Sequence, residues 1–172
     1  MAESFSPDQL PNDKAERYLA LLDEIRAVIE GEPNRIARLA TVTSMVGAAI
    51  DGVSWVGFYL VDPDTPGELV IGPYQGPLGC LRIRFGRGVC GAAAAQRQTQ
   101  IVPDVEAFAD HIACDALTRS EIVVPVFDRQ SNLIGVLDLD SHRPAMFDEI
   151  DHAGLKAIVD WAFGQGEPAR AR

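Results

Sequence analysis

The run VLDLDS at 136–141 constrains this chain more than any other segment. Leucine and aspartate alternate in it, and a period of two marks a β-strand, whose successive side chains point to opposite faces. Leu137 and Leu139 then share one face, and Asp138 and Asp140 share the other. Either the leucines or the carboxylates must face a core. Upstream, EIVVPVF at 121–127 and the run 133–140 flank the polar turn DRQSN, so the two read as a hairpin whose pairing brings Glu121 toward both aspartates.

The rest of the chain supplies partners for that hairpin. Asn12 or Asp13 caps a first helix with Leu19, Leu22, Ile25 and Ile29 as its stripe, ending near Gly31. Pro33 suits the first turn of a second helix, which carries Ile36, Leu39, Ala40, Thr43, Val46, Gly47 and Ile50 on one face and stops at Asp51-Gly52. SWVGFYLV (54–61) and ELVIG read as a second hairpin across the turn DPDTPG. Leu81, Ile83 and Phe85 alternate with arginines in a further strand, followed by GRGVCG and a short alanine-rich helix. One more strand falls at 99–102, and a last helix from about 148 to 163 buries Ile150, Ala153, Ala157, Ile158 and Trp161. This order lacks βαβ alternation, so it predicts an α+β fold: a central, largely antiparallel sheet with the N- and C-terminal helices packed on one face.

At 172 residues the chain has the size of one domain, placed at 13–163 with flexible ends at 1–12 and 164–172. The connection 103–120 is long for a compact domain, a length that marks function or mobility, and it holds His111 and Cys114. A formal net charge of −10 opposes binding to nucleic acid or anionic membrane. The N-terminus shows no apolar signal region, and no run of about 18 apolar residues follows. Three cysteines cannot all pair within one chain, which favours a cytoplasmic protein with available thiols.

Those thiols stand in the segments PLGC (Cys80), GVCG (Cys90) and HIAC (Cys114). A single cysteine reads most simply as a small buried hydrophobe. Zinc held by three thiolates and His111 would call for paired C-x2–4-C ligands, and these cysteines are ten and twenty-four apart. Redox chemistry uses more than one: a thiolate attacks an oxidised substrate and a second cysteine closes a disulfide. His111, one helical turn before Cys114, would lower the thiol pKa if it lay near sulfur. Glu121, Asp138 and Asp140 are either a solvated edge or the wall of a pocket. In a pocket they need a cation such as a substrate ammonium, and one of them stays protonated at neutral pH. Trp55 and Tyr59 share a strand face with Gly57 between them, as core packing or as the walls of a slot for a thioether-like chain. No GxGxxG or GxxxxGK[ST] pattern is present.

Taken together, WVGFYL (55–60), GPYQGPLGC (72–80), GRGVCGAAA (86–94), QIVPDV (100–105), HIACD (111–115), SEIVVPVF (120–127) and GVLDLDS (135–141) resemble the free methionine-(R)-sulfoxide reductases. All three cysteines fall at that family's cysteine positions. The resemblance implies a GAF fold, homodimers, and Cys114 as the nucleophile that is left as a sulfenic acid. It further implies Cys80 as the resolving thiol, Cys90 as an auxiliary one, and a disulfide reduced by thioredoxin. Glu121, Asp138 and Asp140 would hold the substrate ammonium and supply a proton, Trp55 and Tyr59 would hold the methyl-sulfinyl end, and no metal or bound cofactor would be needed. The competing class is a GAF module that senses a small ligand or redox state without turnover.

Overall fold

A computed structural model of the chain describes residues 5–110, 112 and 114–165. Six strands form one sheet: β1 (Trp55–Val61), β2 (Glu68–Gln75), β3 (Arg82–Arg84), β4 (Gln100–Val102), β5 (Ser120–Phe127) and β6 (Leu133–Ser141), in the order β3-β2-β1-β6-β5-β4. Every pairing is antiparallel. The turn between β5 and β6 closes on Asp128, whose carboxylate accepts from the backbone N–H groups of Gln130 and Asn132 at 2.9 and 2.8 Å. Such local side-chain to backbone bonding is what aspartate contributes to turns. β6 is central because β1 lies on its other side, which sets Trp55 opposite Asp140 and Gly57 opposite Asp138. On the β5 side Glu121 faces Asp140 and Val123 faces Asp138.

Three helices cover one face of the sheet: α1 (Lys14–Ile29), α2 (Arg35–Ala49) and α4 (Glu149–Val159). A fourth, α3 (Gly88–Gln96), packs on the opposite face. Each of the three long helices starts on a side-chain cap: Asp13 accepts from Glu16 N, Asn34 from Ala37 N, and Asp148 forms a capping box with Asp151. Pro33 therefore precedes the cap of α2 instead of occupying its first turn.

The helices are rotated from the faces that the sequence predicts. α1 buries Tyr18, Leu21, Leu22, Ile25 and Ile29 and leaves Leu19 exposed; α2 buries Leu39, Val42, Thr43, Met45, Val46 and Ala49 and leaves Ile36 exposed. On α4 Leu155, Ile158 and Val159 point inward, while Ile150, Ala153 and Ala157 are exposed. Ala162 and Phe163 join them from the wider π turn Asp160–Gln165, and Trp161 is half-buried. Tyr18 explains the rotation of α1. Its ring lies on Gly154 so closely that a Cβ there would stand 2.2 Å from Cγ. Ahead of α1, Leu10 packs into the same core, so packing reaches into the stretch that reads as loose in sequence.

The alternation in β6 is satisfied on both sides. Leu137 and Leu139, with Val56 and Phe58 of β1 and Ile122 and Val124 of β5, pack under the helices. Trp55, Tyr59, Val123 and Val136 face the other way, where Val89, Cys90 and Ala93 of α3 build a second core. Asp138 and Asp140 sit on that second face. Leu137 is completely buried, so truncating it to alanine would cost roughly 2–5 kcal/mol.

Candidate active site

On the α3 face the sheet, the first turn of α3 and the connection after β4 enclose a cavity of about 40 Å³. β1 contributes Trp55 and Tyr59, β5 contributes Glu121, β6 contributes Asp138 and Asp140, and α3 contributes Cys90. Cys114 closes it from the long connection. The structure thus brings together every candidate residue of the sequence reading except His111, which lies outside the described residues, and Cys80, which arrives through its bond to Cys114.

Cys80 and Cys114 form a disulfide with their Cα atoms 5.5 Å apart, closing 34 positions of chain. Cys114 is exposed and Cys80 is half-buried. Cys90 is different. The sequence reading sets GRGVCG ahead of the alanine-rich helix, yet Cys90 is the third residue of α3, and its free thiol is buried with Sγ 4.0 Å from Oε1 of Glu121. Burial foremost, then the nearby Asp138 and Glu121 carboxylates, push this thiol well above its ordinary pKa. With two thiols in a disulfide, a zinc site of three thiolates is not assembled. Donor atoms of Cys90, Glu121 and Asp138 do lie within 4.8 Å of one another.

The carboxylates are held by the register of β5, β6 and β1. Glu121 and Asp138 are buried and Asp140 is half-buried. Desolvation is the first cause that raises the pKa of all three. Asp138 is pushed up to about 7, with hydrogen bonds involving Cys90 and Glu121 pulling it back. After desolvation, repulsion from Asp138 and Asp140 also raises Glu121, and repulsion from Asp138 and Asp115 also raises Asp140. Oδ1 of Asp138 is buried without a hydrogen-bond partner among the described residues. A buried, unsatisfied acceptor is costly, and Asp138 is one of the residues that line the cavity.

The aromatic wall is a stack. Trp55 lies against Tyr59 with ring centroids 5.7 Å apart and against Tyr74 at 5.4 Å. Gly57 does not leave pocket space between them. A Cβ there would meet Tyr74 Cβ at 2.4 Å and the Trp55 ring at 2.7 Å, so the glycine makes room for the stack itself. Gly79 has a similar role above it, with Tyr59 Oη 2.9 Å from the position of a Cβ.

Sequence reasoning missed Asp115, Thr118, Leu78 and Ile112, which also line the cavity. Asp115 was signalled only by its place next to Cys114. Its Oδ1 accepts from Leu117 N at 2.9 Å and its Oδ2 lies 3.0 Å from Nε2 of His142, which follows β6 directly. These bonds hold its carboxyl below the usual range. His142 gave no signal, since nothing in one sequence says that the end of β6 meets the Cys114 connection.

Fold and site together define a small antiparallel-sheet domain that buries acids beside a disulfide. The GAF domain model matches residues 34–162. "GAF domain-containing protein A" of Dictyostelium discoideum is 53% identical over 146 residues, covering 85% of this chain and 90% of that protein. The free methionine-R-sulfoxide reductase of Escherichia coli (strain K12) is 42% identical over 147 residues, covering 86% and 87%. The crystal structure of the free methionine-R-sulfoxide reductase of Neisseria meningitidis in complex with its substrate superposes with a TM-score of 0.86 at 47% identity, over 94% of this chain and 93% of that one. The chain belongs to the GAF-domain family and, within it, to the free methionine-R-sulfoxide reductases.

Proposed function

We propose that this protein reduces free L-methionine-(R)-sulfoxide to methionine with electrons from its own thiols. The observation that carries the reading is the Cys80–Cys114 disulfide at a cavity lined by three carboxylates and two stacked aromatics. In the reduced protein the Cys114 thiolate attacks the sulfoxide sulfur, oxygen passes to Cys114 as a sulfenic acid, and methionine leaves. The Cys80 thiol then attacks Cys114 Sγ, water departs, and the disulfide remains. Thioredoxin, an external dithiol, returns the two electrons and two protons. Cys90 is the auxiliary resolving thiol, and its burial and raised pKa make it slower than Cys80.

Glu121, Asp138 and Asp140 take the substrate ammonium, whose charge relieves their mutual repulsion, and a protonated member of the set donates to the departing oxygen. Trp55 and Tyr59 enclose the methyl-sulfinyl end, where sulfur–aromatic contact contributes ~0.3–1.5 kcal/mol. The chemistry calls for no metal, flavin or nucleotide. A cytoplasmic homodimer fits this reading: the thiols need a reducing compartment, and the helical layer exposes Leu19, Val28, Ile36 and Ile150 for a second copy to cover.

The test is methionine release, coupled through thioredoxin to NADPH oxidation, from free R, free S and N-acetylated R sulfoxides at equal concentration. Acylation removes the ammonium and strands the buried carboxylates, so the free R epimer should be preferred by at least ~100-fold over its N-acetyl form. Comparable rates for all three would overturn the ammonium assignment, and disulfide formation without turnover would indicate a redox sensor.

A further inference from the structure

Seven large apolar side chains are exposed among the described residues, and three of them flank the disulfide: Leu78 at 84%, Leu81 at 72% and Leu117 at 64%. Leu78 stands two residues before Cys80 and borders the cavity beside Cys114. Leu81 follows Cys80, and its carbonyl accepts from Ile71 N at 3.0 Å, which pins it at the head of β3. Leu117 lies three residues after Cys114, with its N–H bonded to Asp115 at 2.9 Å. Two of the three are therefore presented outward on anchored backbone, an arrangement that lowers the entropy cost of binding. Leu78 and Cys114 line the same cavity, and exposed apolar side chains set in sequence beside both cysteines of the disulfide are what an interaction site presents.

The two sulfurs are not equivalent. Cys80 is half-buried and packs against the second core, whereas Cys114 is exposed. In thiol–disulfide exchange, access and the acidity of the leaving thiol together decide which sulfur is attacked, and access here favours Cys114.

We infer that Leu78, Leu81 and Leu117 form the docking collar for a protein dithiol reductase of the thioredoxin class, whose thiolate attacks Cys114 Sγ and expels Cys80. The inference rests on the reductase reading and adds the surface and the order of exchange. The attacking thiolate forms a bond to Cys114 Sγ as the Cys80–Cys114 bond breaks, and Cys80 leaves as a thiolate that takes up a proton. The second thiol of the partner then attacks its own half of the mixed disulfide. The partner is oxidised to a disulfide and Cys114 is freed as a thiolate, ready for the next sulfoxide. A bond that must be reopened at each turnover identifies the occupant of the collar, because a small dithiol has no use for three exposed leucines around it.

Two measurements test this. A thioredoxin whose resolving cysteine is replaced by serine will trap the mixed disulfide, and trypsin separates the three cysteines into peptides 39–82, 88–97 and 98–119. The adduct is expected on 98–119, and an adduct on 39–82 would overturn the order of exchange. Leu81→Glu and Leu117→Glu should each raise the KM for thioredoxin by roughly tenfold, as loss of an interface anchor does, while dithiothreitol reduces the disulfide at the wild-type rate. An unchanged KM for thioredoxin, an equal slowing with dithiothreitol, or no reduction by thioredoxin would each sink the collar. Methionine release in a single turnover of the reduced protein tests the underlying activity separately.

Discussion

Nε1 of Trp55 donates to the carbonyl oxygen of Pro77 at 3.1 Å, so the indole that walls the cavity also holds the loop leading into Cys80. Trp55→Phe keeps an aromatic face and loses this bond. A bond of this kind contributes about 0.5–1.5 kcal/mol, so closure of the Cys80–Cys114 disulfide should slow by up to roughly tenfold, and methionine release should slow less. Rapid quenching with a thiol-alkylating reagent separates the two steps, and equal slowing of both would assign Trp55 to the substrate alone.

Single-cysteine variants divide the chemistry. Cys114→Ser should release no methionine, even in one turnover. Cys80→Ser should release about one methionine per site and then recycle poorly with thioredoxin, because attack survives and resolution does not. Normal thioredoxin-driven turnover in Cys80→Ser would transfer the resolving role to Cys90.

Asp138 makes a prediction about pH. Its carboxyl is raised from 3.8 to about 7 in the fold, so the folded chain holds this proton more tightly than the unfolded one. Stability therefore falls as pH rises across that window and levels off above it. Asp138→Asn should raise Tm at pH 8 while leaving Tm at pH 4 nearly unchanged, with kcat/KM for the sulfoxide at least tenfold lower. A lower Tm at pH 8, or unchanged kinetics, would show that the carboxylate is not a desolvated member of the site.

Cys114 lines the cavity while it is bonded to Cys80, so in the disulfide form the sulfur that a sulfoxide would approach is already covered by its partner. The disulfide form should bind free methionine sulfoxide at least roughly tenfold more weakly than reduced Cys114→Ser, which calorimetry can measure. Equal affinity would mean that the closed disulfide does not obstruct the site.

The strand pattern was legible because period two leaves little choice: LDLD, the DRQSN turn and the Trp55–Tyr59 spacing all assign faces without tertiary information. The helix faces were not. α1 carries two overlapping apolar stripes, one through Leu19 and one through Tyr18 and Leu21, and only the approach of Tyr18 to Gly154 selects between them. The site was legible for its carboxylates and aromatics, which lie on strands. Asp115 and His142 escaped because they meet across a long connection, 27 positions apart. The setting of Cys90 was misread because glycines on either side hide the start of α3.

The alternation along β6 also limits how this chain can vary. One added residue between Val136 and Leu137 would turn every later side chain of the strand over, driving Asp138 and Asp140 under the helices and turning Leu137 and Leu139 to the cavity side. Folding and chemistry would fail together, since no single substitution elsewhere restores both faces. Insertions should therefore be absent from this strand in working descendants of the chain, while the turn at 128–132 is free to change length.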